Sequence, residues 1–302
     1  MTPSGVPAEE TVEEFNEWFD EQSKRATLAI VAQPWSGRSA LLESASYEVS
    51  GDATRLSLEP PADTPVSVPD SSSLFIENCH YLFHRDIDGF DRLEAFLRES
   101  ARTETLVLTA WNEYAWQYLT AVTDVEQFVD DVFTLPTLTA DDAAIVISQE
   151  TGVGDPDEAL ETYADSVDSP EPENVRSRLQ TAIRRRYRGS VVESHLDGLV
   201  ADGAGNPAAI CRLFEYRTGY RENGPPSELS LTYDESYVLW LVFSNERLDE
   251  QTLESLTDES IDGILSTLFR QQLLERDGGH VMVRPEAFGS VLSHLERRRL
   301  VW

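Results

Sequence analysis

Residues 32–39, AQPWSGRS, carry the residue types and spacing of a phosphate-binding loop. The template G-x-x-x-x-G-K-[ST] is met at Gly37 and at the hydroxyl of Ser39, with Ala32 for the first glycine and Arg38 for the lysine. Such a loop holds phosphate on backbone amides at a helix N-terminus, here Gly37 to Ala40, while the hydroxyl serves Mg²⁺. Arg38 keeps the positive charge but exchanges a compact ammonium for a planar fork, which is not a conservative change. A second polar pair, Glu77-Asn78, ends the apolar run 73–77. Glu77 offers Mg²⁺ a carboxylate, whereas the Asn78 amide cannot accept a proton from an attacking water. A third run, 105–109, is followed by Asn112, which adds one more amide to the set.

Three apolar runs with polar tips need a scaffold that brings the tips together. Residues 27–31 (TLAIV) are β-branched and aliphatic, as a strand buried on both faces should be. Strands are also expected around 54–58, at 73–77, at 105–109 and at 132–135, alternating with helices from 37, at 87–102 and at 112–122. That alternation predicts an α/β unit with a five-stranded parallel sheet, whose carboxyl edge is where ligands bind. An amphipathic helix over 8–25, with Val12, Phe15, Trp18 and Phe19 on one face, precedes it.

The ordered set resembles the AAA+ and STAND class of P-loop ATPases, a group that includes archaeal ATPases and origin-recognition-like proteins. In that resemblance 32–39 is Walker A, Glu77-Asn78 is Walker B and Asn112 is the sensor-1 position. Asn78 then stands where an AAA+ enzyme has its water-activating glutamate, so hydrolysis is expected to be impaired or absent. The segment 203–214, GAGNPAAICRLF, looks like the GNP-plus-helix part of the STAND lid, which puts Pro207 near the adenine. The resemblance implies ATP or ADP with Mg²⁺, the metal on Ser39 and Glu77, and a P-loop NTPase sheet of order 5-1-4-3-2. It divides the chain into an N-terminal helix (1–26), a P-loop core (27–136), a helical lid (137–222) and a winged-helix-like unit (223–302). The candidate catalytic positions are Glu77, Asn78 and Asn112, and the nucleotide-binding ones are Gly37, Arg38, Ser39, Ala40 and Pro207.

Composition sets further bounds. Against 55 acidic residues stand 24 basic ones, a formal charge of −31, and Lys24 is the only lysine. This resembles the bias of extreme halophiles, whose proteins work in molar salt, where the Debye length is about 3 Å and self-repulsion is screened. The acidity is thus read as a mark of environment and not as a basic partner's footprint. Two cysteines, Cys79 and Cys211, form neither a disulfide framework nor a zinc pattern. His80 and His84 stand four apart, but Tyr81 replaces the glutamate of H-E-x-x-H and no third ligand is evident. No run approaches the roughly 18 apolar residues of a membrane helix, and residues 1–10 lack the basic start and apolar core of a secretory signal. A cytoplasmic protein is expected.

Beyond the sheet, residues 137–222 read as helical, with an acidic linker at 152–173 and a basic cluster at 184–188 (RRRYR). That cluster is an arginine-finger source, a phosphate contact or a solvated helix face. After the break at 223–226, helices are expected at 234–244, 249–256 and 259–275, then a β-ribbon turning at 277–280 and a closing helix over 285–299. The third helix opposes Arg270 with Glu259, Asp262 and Glu275, so it is poorly built to read DNA. Packing on its own chain or on a protein partner, including a second copy, is the preferred reading over DNA. Two functions stay open: a nucleotide-binding switch with slow or absent hydrolysis, and a pseudo-ATPase that acts as a protein-interaction or DNA-binding scaffold.

Overall fold

The run TLAIVA forms β1 (Thr27–Ala32), and all six of its residues are buried, as a strand covered on both faces requires. A computed structural model describes residues 7, 9–22, 25–49, 52–59, 68, 73–83, 89–167, 195–219, 229–257 and 260–301. Ahead of β1 lies α1 (Glu9–Asp20), which ends five residues sooner than the expected 25. There the Gln22 side-chain amide reaches back to the Trp18 carbonyl, taking one of the groups a helix C-terminus leaves open. Phe15 of α1 is fully buried, with its ring edge-on to Phe133 at 5.3 Å, and the Trp18 indole donates to Asp131 at 2.8 Å.

After β1 come α2 (Arg38–Glu48), β2 (Ala53–Ser57), β3 (Ser73–Glu77), a 3-10 turn over Cys79–Leu82, α3 (Gly89–Ser100), β4 (Leu106–Asn112), α4 (Glu113–Val122) and β5 (Asp131–Thr134). The strands make one five-stranded sheet in the order β2-β3-β4-β1-β5, every pair parallel. This is the P-loop NTPase sheet that the resemblance implied. β4 runs three residues beyond the expected 109, and its register sets Asn112 opposite Ala32. The tips of β1, β3 and β4 therefore share one edge of the sheet.

The chain continues as α5 (Ala140–Thr151), α6 (Pro156–Val167), α7 (His195–Asp202) and α8 (Pro207–Arg217). Thr139 and Asp142 form a capping box that starts α5, and the Asn206 carboxamide caps α8. Leu138, Val146, Leu199 and Phe214 share the core of this helical layer. The basic cluster at 184–188, His84 and the break at 223–226 lie outside the described residues. Among the described residues no helix is long and apolar enough to cross a membrane.

The last part comprises α9 (Tyr233–Asn245), β6 (Arg247–Asp249), α10 (Glu250–Ser255), α11 (Asp262–Arg270), β7 (Leu274–Asp277), β8 (His280–Val283) and α12 (Phe288–Arg297). The ribbon turning at Gly278-Gly279 is as expected, but the helix expected to reach residue 275 stops at Arg270. Gln272, at φ 59°, redirects the chain, and 274–277 pairs with β8 as a strand. Helical periodicity yields here because β8 lies between β6 and β7, and its buried backbone groups need partners on both sides. β6 has three residues, too few to leave a pattern in the sequence.

This part is docked on the rest of the chain. Tyr114 of α4 lies against Phe243 at 4.5 Å, Phe243 stacks on Phe288 at 5.1 Å, and Tyr118 meets Trp240 edge-on at 6.0 Å. Tyr114 and Ala209 belong to the same buried cluster as the core of α9, α11 and α12. Val301 is buried in that cluster too, and Leu300 packs against it. Burying such rings at the junction supplies roughly 1.5–3 kcal/mol for each large apolar side chain withdrawn from water.

Candidate phosphate-loop site

Gly37 holds φ 98° immediately before α2, a conformation that a residue with a Cβ adopts only under strain. Trp35, two residues earlier, is left-handed as well, at φ 56°, and its ring sits edge-on to Phe288 at 6.1 Å. Ser36 donates to the Gln33 carbonyl at 2.6 Å, which closes the loop on itself. The loop thus reverses the chain and presents α2, eleven residues long, by its amino end.

Beside that end, the Ser39 hydroxyl donates to the Glu77 carboxylate. The two expected metal ligands are therefore adjacent at the tips of neighbouring elements. An all-oxygen pair of this kind, completed by water and phosphate, suits Mg²⁺ and not a thiolate- or imidazole-seeking metal. Among the described residues no group of three or more His, Cys, Asp or Glu side chains forms a metal cluster.

Arg38 is turned elsewhere. Its side chain is buried, with Nη1 paired to the Glu246 carboxylate and Nη2 donating to Asn78 Oδ1 at 2.8 Å. Nε is buried without a partner. Burial pulls the guanidinium pKa down, but the charge of Glu246 and its hydrogen bond outweigh that and leave it raised. Asn78, left-handed at φ 59°, also donates to the Leu58 carbonyl at 3.3 Å. The amide at the expected water-activating position thus already serves the loop arginine.

Asn112 is fully buried at the end of β4. Its Oδ1 caps α4, accepting from Tyr114 N at 2.8 Å and Ala115 N at 3.3 Å. Its Nδ2 donates to Glu246 Oε1 at 3.2 Å. The expected sensor amide is committed to a helix cap and to the same carboxylate that holds Arg38. Pro207 opens α8 and is buried, but the contact with the loop is made by its neighbour Asn206. The Asn206 amide donates to the Pro34 carbonyl at 2.6 Å, and Gln33 Nε2 donates to the Ala204 carbonyl at 3.3 Å.

A cavity of about 290 Å³ opens in front of the loop, with Gly37, Ser39, Ala40, Glu77, Glu246 and Met282 among its walls. Asn112 and Pro207 do not line it. Sequence reasoning missed Glu246 and Asn206. Glu246 follows the apolar helix α9 and looks like an ordinary helix-end carboxylate, whereas Asn206 lay within the quoted GNP segment and was open to notice.

His80 follows on the 3-10 turn. Its Nδ1 accepts from the Asn112 backbone N–H at 3.3 Å, so the proton of the neutral ring resides on Nε2. Burial, and then the Arg38 charge, hold its pKa well below the ordinary 6.5. The unfolded chain therefore takes up this proton before the folded one does. Stability is fully present above about pH 6.5 and declines as pH falls below that toward the folded-state value, by up to about 1.4 kcal/mol per pH unit. His80→Gln is expected to flatten this limb in urea denaturation between pH 7 and pH 5. An unchanged slope would assign the limb to other groups, beginning with His294, which burial and the nearby Arg298 and Arg297 also hold low.

No protein-family model matches the chain, and no curated protein is detectably similar to it. Solved structures similar over nearly its whole length include the RuvB Holliday junction branch migration motor of Thermotoga maritima. That match has 11% identity and TM-score 0.40, and covers 99% of this chain and 98% of RuvB. The ORC2 protein of Aeropyrum pernix, solved as ADPNP-ADP complexes, is 12% identical with TM-score 0.47, covering 98% of this chain and 94% of ORC2. A STAND protein with a tetratricopeptide repeat sensor from Pyrococcus horikoshii is 11% identical with TM-score 0.38. It aligns with 96% of this chain, which spans 44% of that protein.

Proposed function

We propose that this chain is a nucleotide-binding switch of AAA+/STAND type that takes ATP or ADP with Mg²⁺ and hydrolyses ATP very slowly or not at all. The observation that carries the reading is the Ser39–Glu77 contact at the amino end of α2, directly behind Gly37. Ser39 and Glu77 would hold the metal, and the amides from Gly37 to Ala40 the phosphates. Bound nucleotide supplies the terminal phosphates, and the chain's own residues orient them and keep water inactive. Asn78 has no basic atom with which to activate water, and its oxygen already accepts from Arg38. In this reading the chain comprises a P-loop core (27–136), a lid (137–222) and a winged-helix-like unit (223–302), and works in a salt-rich cytoplasm.

The second reading, a pseudo-ATPase scaffold, draws on Arg38 being engaged by Glu246. Within either reading the C-terminal unit is a packing module for its own chain or a protein partner and not a DNA reader. Arg284, a cation that a wing would offer to phosphate, is paired with Glu286 and donates to Gln272 at 3.2 Å. Arg276 lies over the Phe269 ring at 4.3 Å and pairs with Glu250.

Calorimetric titration of the full chain with ATP·Mg²⁺ in molar KCl tests the proposal. Measurable binding that Ser39→Ala weakens is expected, together with turnover far below the ordinary enzyme range of about 1–10³ s⁻¹. Turnover inside that range, abolished by Asn78→Ala, would refute the silent-hydrolysis reading. Absence of binding at millimolar ATP would leave the scaffold reading.

A further inference from the structure

Glu246 reaches the phosphate loop from 208 residues further along the chain than Arg38. It leaves the end of α9, in the C-terminal unit, with φ 64° and ψ −48°. That is the γ-turn region, costly for any residue bearing a Cβ, and strain of this kind persists only where the surroundings impose it. The end of α9 is fixed by Tyr81, whose hydroxyl donates to the Asn245 carbonyl at 2.6 Å. The carboxylate so delivered receives Arg38 Nη1 and, at 3.2 Å, Asn112 Nδ2 on the same oxygen, Oε1. The loop cation and the amide at the tip of β4 therefore converge on one anionic oxygen that belongs to the protein.

Resting on the nucleotide reading above, we infer that Glu246 is a built-in anion that stands in for a terminal phosphate, so that the C-terminal unit latches the loop shut until nucleotide displaces it. The chemistry of the loop agrees with this role. A lysine ammonium is a single compact charge, whereas the guanidinium fork binds Glu246 through one arm and Asn78 through the other at once. Arg38 Nε remains buried and unpartnered, a donor that this contact leaves idle. Arg247, Asp277 and Met282, also C-terminal, line the same cavity, so withdrawal of that unit frees Arg38 and opens the cavity together. Linkage then runs both ways: nucleotide favours undocking, and whatever pulls the C-terminal unit away tightens nucleotide binding by the same factor.

The test uses the full chain in molar KCl, titrated calorimetrically with ATP·Mg²⁺ and with inorganic pyrophosphate. Glu246→Gln removes the charge, and Glu246→Gly does so while accepting the backbone angles without strain. At least tenfold tighter binding is expected for both variants than for the wild type, lost again when Arg38→Ala is added. In the wild type, saturating ATP·Mg²⁺ is expected to speed amide exchange across 246–249 and 280–283, a readout that needs no variant to fold. Equal or weaker binding by the Glu246 variants, or exchange unchanged in the nucleotide-saturated wild type, overturns the latch while leaving the nucleotide site standing. No binding by any form refutes the nucleotide reading itself and the latch with it.

Discussion

Arg38→Met is expected to destabilise the fold by about 3–5 kcal/mol, and adding Glu246→Gln to recover most of that loss. The pair is nearly dry, with side-chain exposures of 6% for Arg38 and 12% for Glu246. Removing the guanidinium leaves a carboxylate without its counter-charge in a place water barely reaches, and takes the donor from Asn78 Oδ1 as well. With both partners neutral the desolvation penalty disappears, and glutamine can still accept from Asn112. The contrast within the same chain is Arg25–Glu104, exposed at 63% and 76%, where losing one partner should cost no more than about 1 kcal/mol. A double-mutant cycle read by urea denaturation, repeated at low and at molar KCl, measures the difference. Additive costs for Arg38 and Glu246 that shrink with salt would show a screened pair and no buried latch.

Gly289→Ala is expected to lower stability by about 3 kcal/mol, the upper end for overpacking, with a drop of several degrees in Tm at roughly 2–4 °C per kcal/mol. A Cβ on Gly289 would lie 1.9 Å from the Asp202 carbonyl oxygen and 2.9 Å from its carbon. Both are backbone atoms, at the end of α7, and no side-chain rotation relieves the contact. The helix α12 must then move off the end of α7, disturbing the Phe243–Phe288 stack against which Tyr114 of α4 packs. Gly263 is the control, because a Cβ there meets nothing within 4 Å. Gly263→Ala, in the first turn of α11, is expected to stabilise slightly, by about 0.4–1 kcal/mol. Equal melting temperatures for Gly289→Ala and the wild type would mean that α12 is not held against the end of α7 as described.

The sheet was legible because its information is local. TLAIVA, SLFIE and LVLTAWN each carry a run of consecutive apolar residues, with Glu77 and Asn112 as polar tips, and strands covered on both faces need such runs. The loop could be found for the same reason, since Gly37 and Ser39 stand at fixed offsets from the end of β1. The helices expected over 8–25 and 259–275 end sooner, because apolar periodicity does not register where a side chain recaptures a carbonyl or where a neighbouring strand claims the backbone. Gln22 did the first, and β8 the second.

The amino-acid sequence by itself determined which strands build the parallel sheet, where the glycine-bearing loop after β1 lies, and that Arg38 and Asn78 depart from the residues the resemblance leads one to expect there. Only the tertiary structure decided what those departures are joined to. The strand pattern already set Arg38 and Asn112 at one sheet edge, but nothing in the spacing brings Glu246, 208 residues beyond Arg38, to meet them. Their meeting depends on the angle at which α9 docks against α4, set by the packing of Tyr114, Phe243 and Phe288. A surface carboxylate and a buried counter-ion are written with the same letter, and burial, which distinguishes them, belongs to the folded chain as a whole.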